Sequence, residues 1–244
     1  MRHKLIRLML VLLPSMLVIG TVGYCFDYPI AQAAKHGQLH DLLPGDLRGF
    51  IRSSEAFAQG LMVLVLIALA TRIDPRGLRI APFLAASSLG AGLIADVIKL
   101  LVARVRPSKH DLEGVAVDSF QGWIPGVGGY DIQSFPSAHS AVAFGFAFAL
   151  SRLYPRATMF FWLFAALAGF QRIESNAHYL SDVMIGASIG CLVANCAMCL
   201  LPSEQPLGQS TQWAFAGDRR NHKPNRENQA PGKQINVPVA SLSN

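Results

Sequence analysis

Six apolar runs divide this chain, near Leu5 to Tyr24, Ala56 to Thr71, Ile80 to Val102, Ala138 to Leu153, Ala157 to Phe170 and Val183 to Leu201. A helix needs about 20 residues to cross the hydrocarbon core of a bilayer, and these runs approach or reach that length. The second, fourth and fifth are short by apolar count and extend into flanking polar residues. Of the 244 residues 52% are hydrophobic and 15% charged, against about 25% charged in an average soluble protein. The expectation is an all-α fold: a polytopic membrane helical bundle of about six transmembrane helices.

Three polar clusters interrupt the runs. The first is Lys99, six residues, then Arg106-Pro107; the second is Pro136-Ser137-Ala138-His139; the third is Arg172, five residues, His178, three residues, Asp182. A transferring phosphoryl group spreads negative charge over its non-bridging oxygens, so Lys99, Arg106 and Arg172 can stabilise it, the arginines bidentately. His178 and Asp182 are four apart and share a face if the segment is helical, so the carboxylate can accept the proton of one ring nitrogen. The other nitrogen is then free to attack phosphorus, and the second imidazole, His139, can protonate the leaving oxygen. Ser137 supplies a hydroxyl, and Pro136-Ser137 suits a helix start, where unpaired backbone N–H groups face an anion.

Basic residues set the expected topology. With the N-terminus cytoplasmic, the inner segments hold Arg2, Lys4, Arg7, Arg72, Arg76, Arg79, Arg152, Arg156, Arg219, Arg220, Lys223, Arg226 and Lys233, thirteen of the 21. Lys99, Arg106 and Arg172 fall outside, where phosphoryl chemistry explains them. All three clusters then lie on the non-cytoplasmic side. The first span also reads as a secretory signal ending at Ala31-Gln32-Ala33, an alternative that leaves the active-site side unchanged.

At these residues the chain resembles the type 2 phosphatidic acid phosphatase and haloperoxidase superfamily, whose pattern is Lys-x6-Arg-Pro, Pro-Ser-Gly-His and Ser-Arg-x5-His-x3-Asp. The resemblance implies His178 as nucleophile, Asp182 as its partner and His139 as general acid. It implies Lys99, Arg106, Ser137, Ala138 and Arg172 as the phosphate-binding positions, with no metal and no cofactor. Two positions depart from the pattern. Ala138 replaces the usual Gly, which matters if the backbone there needs a positive φ or close approach to phosphate, and Gln171 replaces the Ser before the arginine.

Residues 1–202 are read as one membrane phosphatase domain with its motif core at 99–182, and 203–244, rich in Ser, Gln, Asn, Pro and Gly, as a disordered basic cytoplasmic tail. Asp27 to Phe50 reads as a polar loop with a turn at Pro44-Gly45-Asp46. Leu47 to Phe57 reads as a frayed span end or an interfacial helix. Ser108 to Ser134 reads either as a lid over the site or as a flexible connector with Trp123 at the membrane interface. Asp96, three residues before Lys99, is placed to orient that amine. His36, His40, His110 and His222 lack catalytic neighbours, and the four cysteines show neither zinc nor disulfide spacing. Gly186 and Gly190 permit a close helix contact.

The resulting expectation is an integral membrane phosphatase for lipid phosphate or diphosphate monoesters, of the phosphatidic acid, phosphatidylglycerol phosphate or polyprenyl diphosphate type. It works through a phosphohistidine on the non-cytoplasmic face. Its partners are the bilayer and a phosphorylated lipid; nucleic acid is not among them, because the basic residues outside the site sit mainly where membrane topology places them. The alternatives are a phosphatase or phosphotransferase for another phosphorylated substrate, or a non-catalytic membrane sensor or scaffold on the same fold.

Overall fold

The computed structural model describes residues 15–16, 18–123 and 129–200. Its helices are α1 (residues 18–25), α2 (Asp27–Lys35), α3 (Gln38–Asp41), α4 (Gly45–Ser53), α5 (Gly60–Ile73), α6 (Ala81–Lys99), α7 (Ala138–Leu153), α8 (Thr158–Glu174) and α9 (Leu180–Leu200). Between α6 and α7 a short antiparallel ribbon pairs β1 (Val102–Arg104) with β2 (Phe120–Trp123). The expected tail at 203–244 and the start of the first apolar run lie outside the described residues.

Helix α7 is the centre, packed against α6, α8 and α9. Many of its inward positions are small: Ala141, Ala143, Gly145, Ala147 and Ala149 are buried, beside the larger Val142, Phe146 and Leu150. In lipid there is no hydrophobic drive to join helices, so small residues that let backbones approach are what bring them together. A Cβ on Gly145 would collide with the Ser87 carbonyl of α6, one on Gly186 with the Ser137 carbonyl, and one on Gly190 with the Ala141 carbonyl. Gly186 and Gly190 thus serve internal packing of α9 on α7. Large apolar side chains face outward instead, among them Leu61, Leu64 and Leu69 of α5, Leu93 of α6, and Met159 and Phe160 of α8.

Among the described residues, Gly77–Lys99 and Leu180–Cys199 are long and apolar enough to cross a bilayer, and Gly45–Phe57 with Gly60–Ile73 makes a further candidate bent by 76°. Ala138–Leu153 is apolar but shorter; its 16 residues span roughly 24 Å at 1.5 Å per residue, less than the bilayer core. The stretch read as a frayed span end or an interfacial helix forms α4, followed by the 3₁₀ turn Ser54–Phe57.

The polar loop expected from Asp27 onward is also helical in its first part. Helix α2 buries Asp27, Tyr28, Ala31 and Ala34, and Tyr28 stacks on Tyr179 at 6.2 Å between ring centroids. His110 is largely covered beside Tyr28, whose hydroxyl lies 3.3 Å from its Nε2. The segment after β1 is pinned in several places: Val105 N donates to Ser119 O, Arg106 N to Asp131 O and Ser134 N to Arg104 O. Trp123 is 81% exposed at its edge. At the opposite end of the bundle, Asp74 joins the two sides of the α5–α6 connection to α7. It accepts from Arg76 Nε and Nη2, and from the Tyr154 hydroxyl at 2.7 Å.

Candidate active site

Four helix termini converge at one end of the bundle. Lys99 closes α6, Ser137 caps α7, Arg172 lies in the last turn of α8, and Asp182 lies in the first turn of α9. Ser137 Oγ accepts from Ser140 N at 3.3 Å, the usual service of a serine N-cap, and Ser137 N donates to the Asp182 carbonyl at 3.0 Å. Ala138 is the first helical residue of α7 and has no positive φ, so the missing glycine removes no backbone freedom that this conformation needs. The five-residue spacing after Arg172 also has a physical reason. The chain turns back through Asn176 at φ 54, so that Ala177 N and His178 N both donate to the Arg172 carbonyl at 3.1 Å.

His178 is buried, and its Nδ1 lies 2.7 Å from the carbonyl of Ser134. A carbonyl only accepts, so the proton sits on Nδ1 and Nε2 keeps its lone pair. Asp182, expected to take the ring proton directly, instead stands 3.8 Å from Nδ1. Its carboxylate is engaged by Ser134 Oγ at 2.6 Å, by Tyr179 N at 3.0 Å and by Arg104. The carboxylate thus fixes the residue whose carbonyl holds the imidazole, and adds negative charge behind it. Burial pushes the His178 ring below its ordinary pKa; Asp182 opposes that shift, and Arg106 and Lys99 reinforce it.

Arg106 brings its guanidinium to the free side of the ring, with Nη1 3.4 Å from Nε2. It is oriented by three carbonyls, those of Tyr130 at 2.8 Å, Ala177 at 2.8 Å and Gln133 at 3.2 Å, and stacks over the Tyr130 ring. Lys99 Nζ is held 3.1 Å from Asp96 Oδ1, as their spacing of three predicts. Arg172 Nε donates to Gln171 Oε1 at 2.6 Å, so the residue that replaces the family's serine steadies the arginine beside it. His139 lies within electrostatic reach of Arg172, His178, Lys99 and Arg106. All the residues singled out in the three clusters therefore meet at this end of the bundle.

Five further residues, Arg104, Asp27, Ser181, Ser134 and Glu55, shape the site, and the sequence reading gives none of them a role in it. Arg104 is fully buried and pairs with both Asp182 and Asp27, the latter at 2.6 Å; Ser181 donates to Asp27 through N at 2.8 Å and Oγ at 2.5 Å. Burial pushes the Arg104 guanidinium towards losing its proton, but the two carboxylates hold its pKa above the ordinary value. Ser134 supplies the carbonyl and hydroxyl described above. Glu55, from the turn after α4, places Oε1 2.8 Å from Arg172 Nη2 and 3.9 Å from His139 Nε2. The available signal for Arg104 is a charge two residues before Arg106 in an otherwise apolar stretch; Glu55 and Ser134 carry none. Among the described residues, no group of three His, Cys, Asp or Glu side chains is arranged to hold a metal.

Beside Ser181 an open apolar depression of about 250 Å³ is lined by Gly20, Tyr24, Phe120, Phe135 and Ile185.

The chain is similar to known proteins. Lipid A 1-phosphatase from Rhizobium etli is 32% identical over 112 residues, 46% of each chain. Lipid A 1-phosphatase from Rhizobium johnstonii is 34% identical over 101 residues, 41% of this chain and 39% of the relative. The matched stretches thus span less than half the length of these relatives. The crystal structure of Aquifex aeolicus LpxE superposes with a TM-score of 0.50 at 20% identity, covering 67% of this chain and 92% of the other, and supports the fold. The model of the PAP2 superfamily matches residues 79–205, more than half of the chain and all three clusters, and by that match the chain belongs to the PAP2 superfamily.

Proposed function

We propose that this protein is an integral membrane phosphatase that hydrolyses phosphate monoesters carried on lipids through a phosphohistidine. One observation carries the reading: His178 commits its Nδ1 proton to the Ser134 carbonyl and turns Nε2 towards Arg106, at the bundle end that also holds His139, Lys99 and Arg172. In the first step the phosphoryl group sits against the three cations and Nε2 attacks phosphorus in line. The bond to the leaving oxygen breaks, and His139, protonated, delivers its proton to that oxygen. Water then attacks the phosphohistidine and gives its proton to His139; the N–P bond breaks and inorganic phosphate leaves. Asp182 acts through Ser134 and through its charge, and the cations balance the phosphoryl oxygens with no metal required.

The lipid assignment is supported by the position of the site at helix ends, by the apolar depression next to Ser181 and by the names of the Rhizobium relatives. A lipid A-type 1-phosphate is accordingly the first substrate to test, beside phosphatidic acid, phosphatidylglycerol phosphate and a polyprenyl diphosphate. The distribution of basic residues supports a site on the non-cytoplasmic face. Purified protein in detergent is expected to release phosphate from at least one lipid monoester with chelator present. Orthovanadate should block the release, and His178→Ala should abolish it. Silence towards the whole panel would overturn the phosphatase reading, and activity lost in chelator but restored by magnesium would overturn metal independence.

A further inference from the structure

Glu55 belongs to none of the three motifs, yet a packed element delivers it to the site. Its turn, Ser54–Phe57, is seated by Phe57, whose ring centroid is 5.1 Å from Phe146 and 5.9 Å from Phe164. The next residue, Ala58, is buried among Ala143, Ala147, Ala165 and Ala168. Ser54 Oγ closes the turn on the Ile51 carbonyl at 2.6 Å. The carboxylate therefore occupies a built position, 2.8 Å from Arg172 Nη2 and 3.9 Å from His139 Nε2. A negative charge in a phosphate cradle opposes the binding of any phosphoryl dianion, so its benefit has to lie elsewhere in the reaction.

Under the phosphatase reading, on which this inference rests, His139 protonates the leaving oxygen. The atoms beyond that oxygen then lie on the His139 side, next to Glu55. We infer that Glu55 is a specificity-determining residue that selects phosphate monoesters with an uncharged, hydroxyl- or amide-bearing leaving group and rejects diphosphates. In either case the Nε2–P bond of His178 forms, the P–O bond breaks and the His139 proton passes to the leaving oxygen. From a monoester the product beside Glu55 is a neutral alcohol, whose hydroxyl or neighbouring N–H can donate to the carboxylate. From a diphosphate it is a phosphate that still carries negative charge against that carboxylate.

The test compares phosphatidic acid with diacylglycerol diphosphate of the same acyl chains in the same micelles, reading the ratio of the two kcat/KM values. The wild-type enzyme is expected to favour the monoester, and a faster diphosphate reaction would overturn the inference without any variant. Glu55→Gln should lower the ratio by roughly tenfold or more, the scale expected when a like-charge contact is removed, and Glu55→Asp should retain most of it. Orthovanadate, which competes with the carboxylate for Arg172, should bind Glu55→Gln more tightly than wild type. A merely structural Glu55 gives the opposite pattern: both substrates slow together and vanadate binds more weakly. If wild type releases phosphate but the ratio does not move in Glu55→Gln, only this assignment fails. If wild type releases phosphate from neither lipid nor from the wider panel, the phosphatase reading itself fails.

Discussion

Arg104 has no water to fall back on, and its two carboxylate partners come from residues 27 and 182. Removing one member of a buried ion pair typically destabilises by about 3–5 kcal/mol, because the remaining charge is stranded. Arg104→Met is therefore expected to lower stability by about that much, read by thermal unfolding in detergent, and to release Asp182 from its place behind Ser134. His178 makes a second residue-scale prediction. Its folded pKa lies below the ordinary 6.5, so the neutral ring, the form the proposed attack needs, persists as pH falls through 6.5, and the ring nitrogen shifts of labelled His178 should titrate below that value. The linked stability contribution is complete above pH 6.5 and declines as pH falls below it, since the unfolded chain then binds the proton more readily. Lys99, Arg106, Ser137, His139, Arg172, His178 and Asp182 are legible in the sequence because their spacing is local. Arg104, Ser134 and Glu55 are not, because what gives each its place is a partner far away in the chain.

Helices α7 and α9 set the distance on which the site depends. Their closest approach runs through Gly186 and Gly190, with Gly145 closing α7 on α6. Gly186→Ala would press on the Ser137 carbonyl at the start of α7, so a loss of about 1–3 kcal/mol is expected from overpacking, together with reduced turnover. Gly49→Ala in α4 is the control: nothing lies within 4 Å of its added Cβ, and the helix should gain roughly 0.5–1 kcal/mol. Melting temperatures and phosphate release of the two variants check both directions. The apolar helices can be read from the sequence because each rests on a continuous apolar run, long or short. Helix α2 is missed because its residues alternate between inward Tyr28, Ala31 and Ala34 and outward polar groups, and only its packing on Tyr179 and Leu112 reveals an inner face. For helix α4 the sequence leaves open a span end or an interfacial helix, because the bend of 76° before α5 leaves no mark in composition.

At the scale of the whole molecule, the bundle separates two chemistries. One end gathers the histidines and cations, and the other holds the Asp74, Arg76 and Tyr154 cluster. The excess of Lys and Arg on the latter side predicts that a reporter fused after Arg76 is cytoplasmic and one inserted near Gly122 is not. A cytoplasmic signal at Gly122 would reverse the proposed face. The buried trio of Asp27, Arg104 and Asp182 also dictates an order of birth. Asp27 and Arg104 leave the ribosome well before Asp182, so a nascent chain carries a guanidinium with one carboxylate and, until residue 178 is made, lacks the proposed nucleophile. On the phosphatase proposal, maturation is thus tied to delivery of helix α9, and a chain that stalls before that point would lack the means to strip phosphate from a lipid.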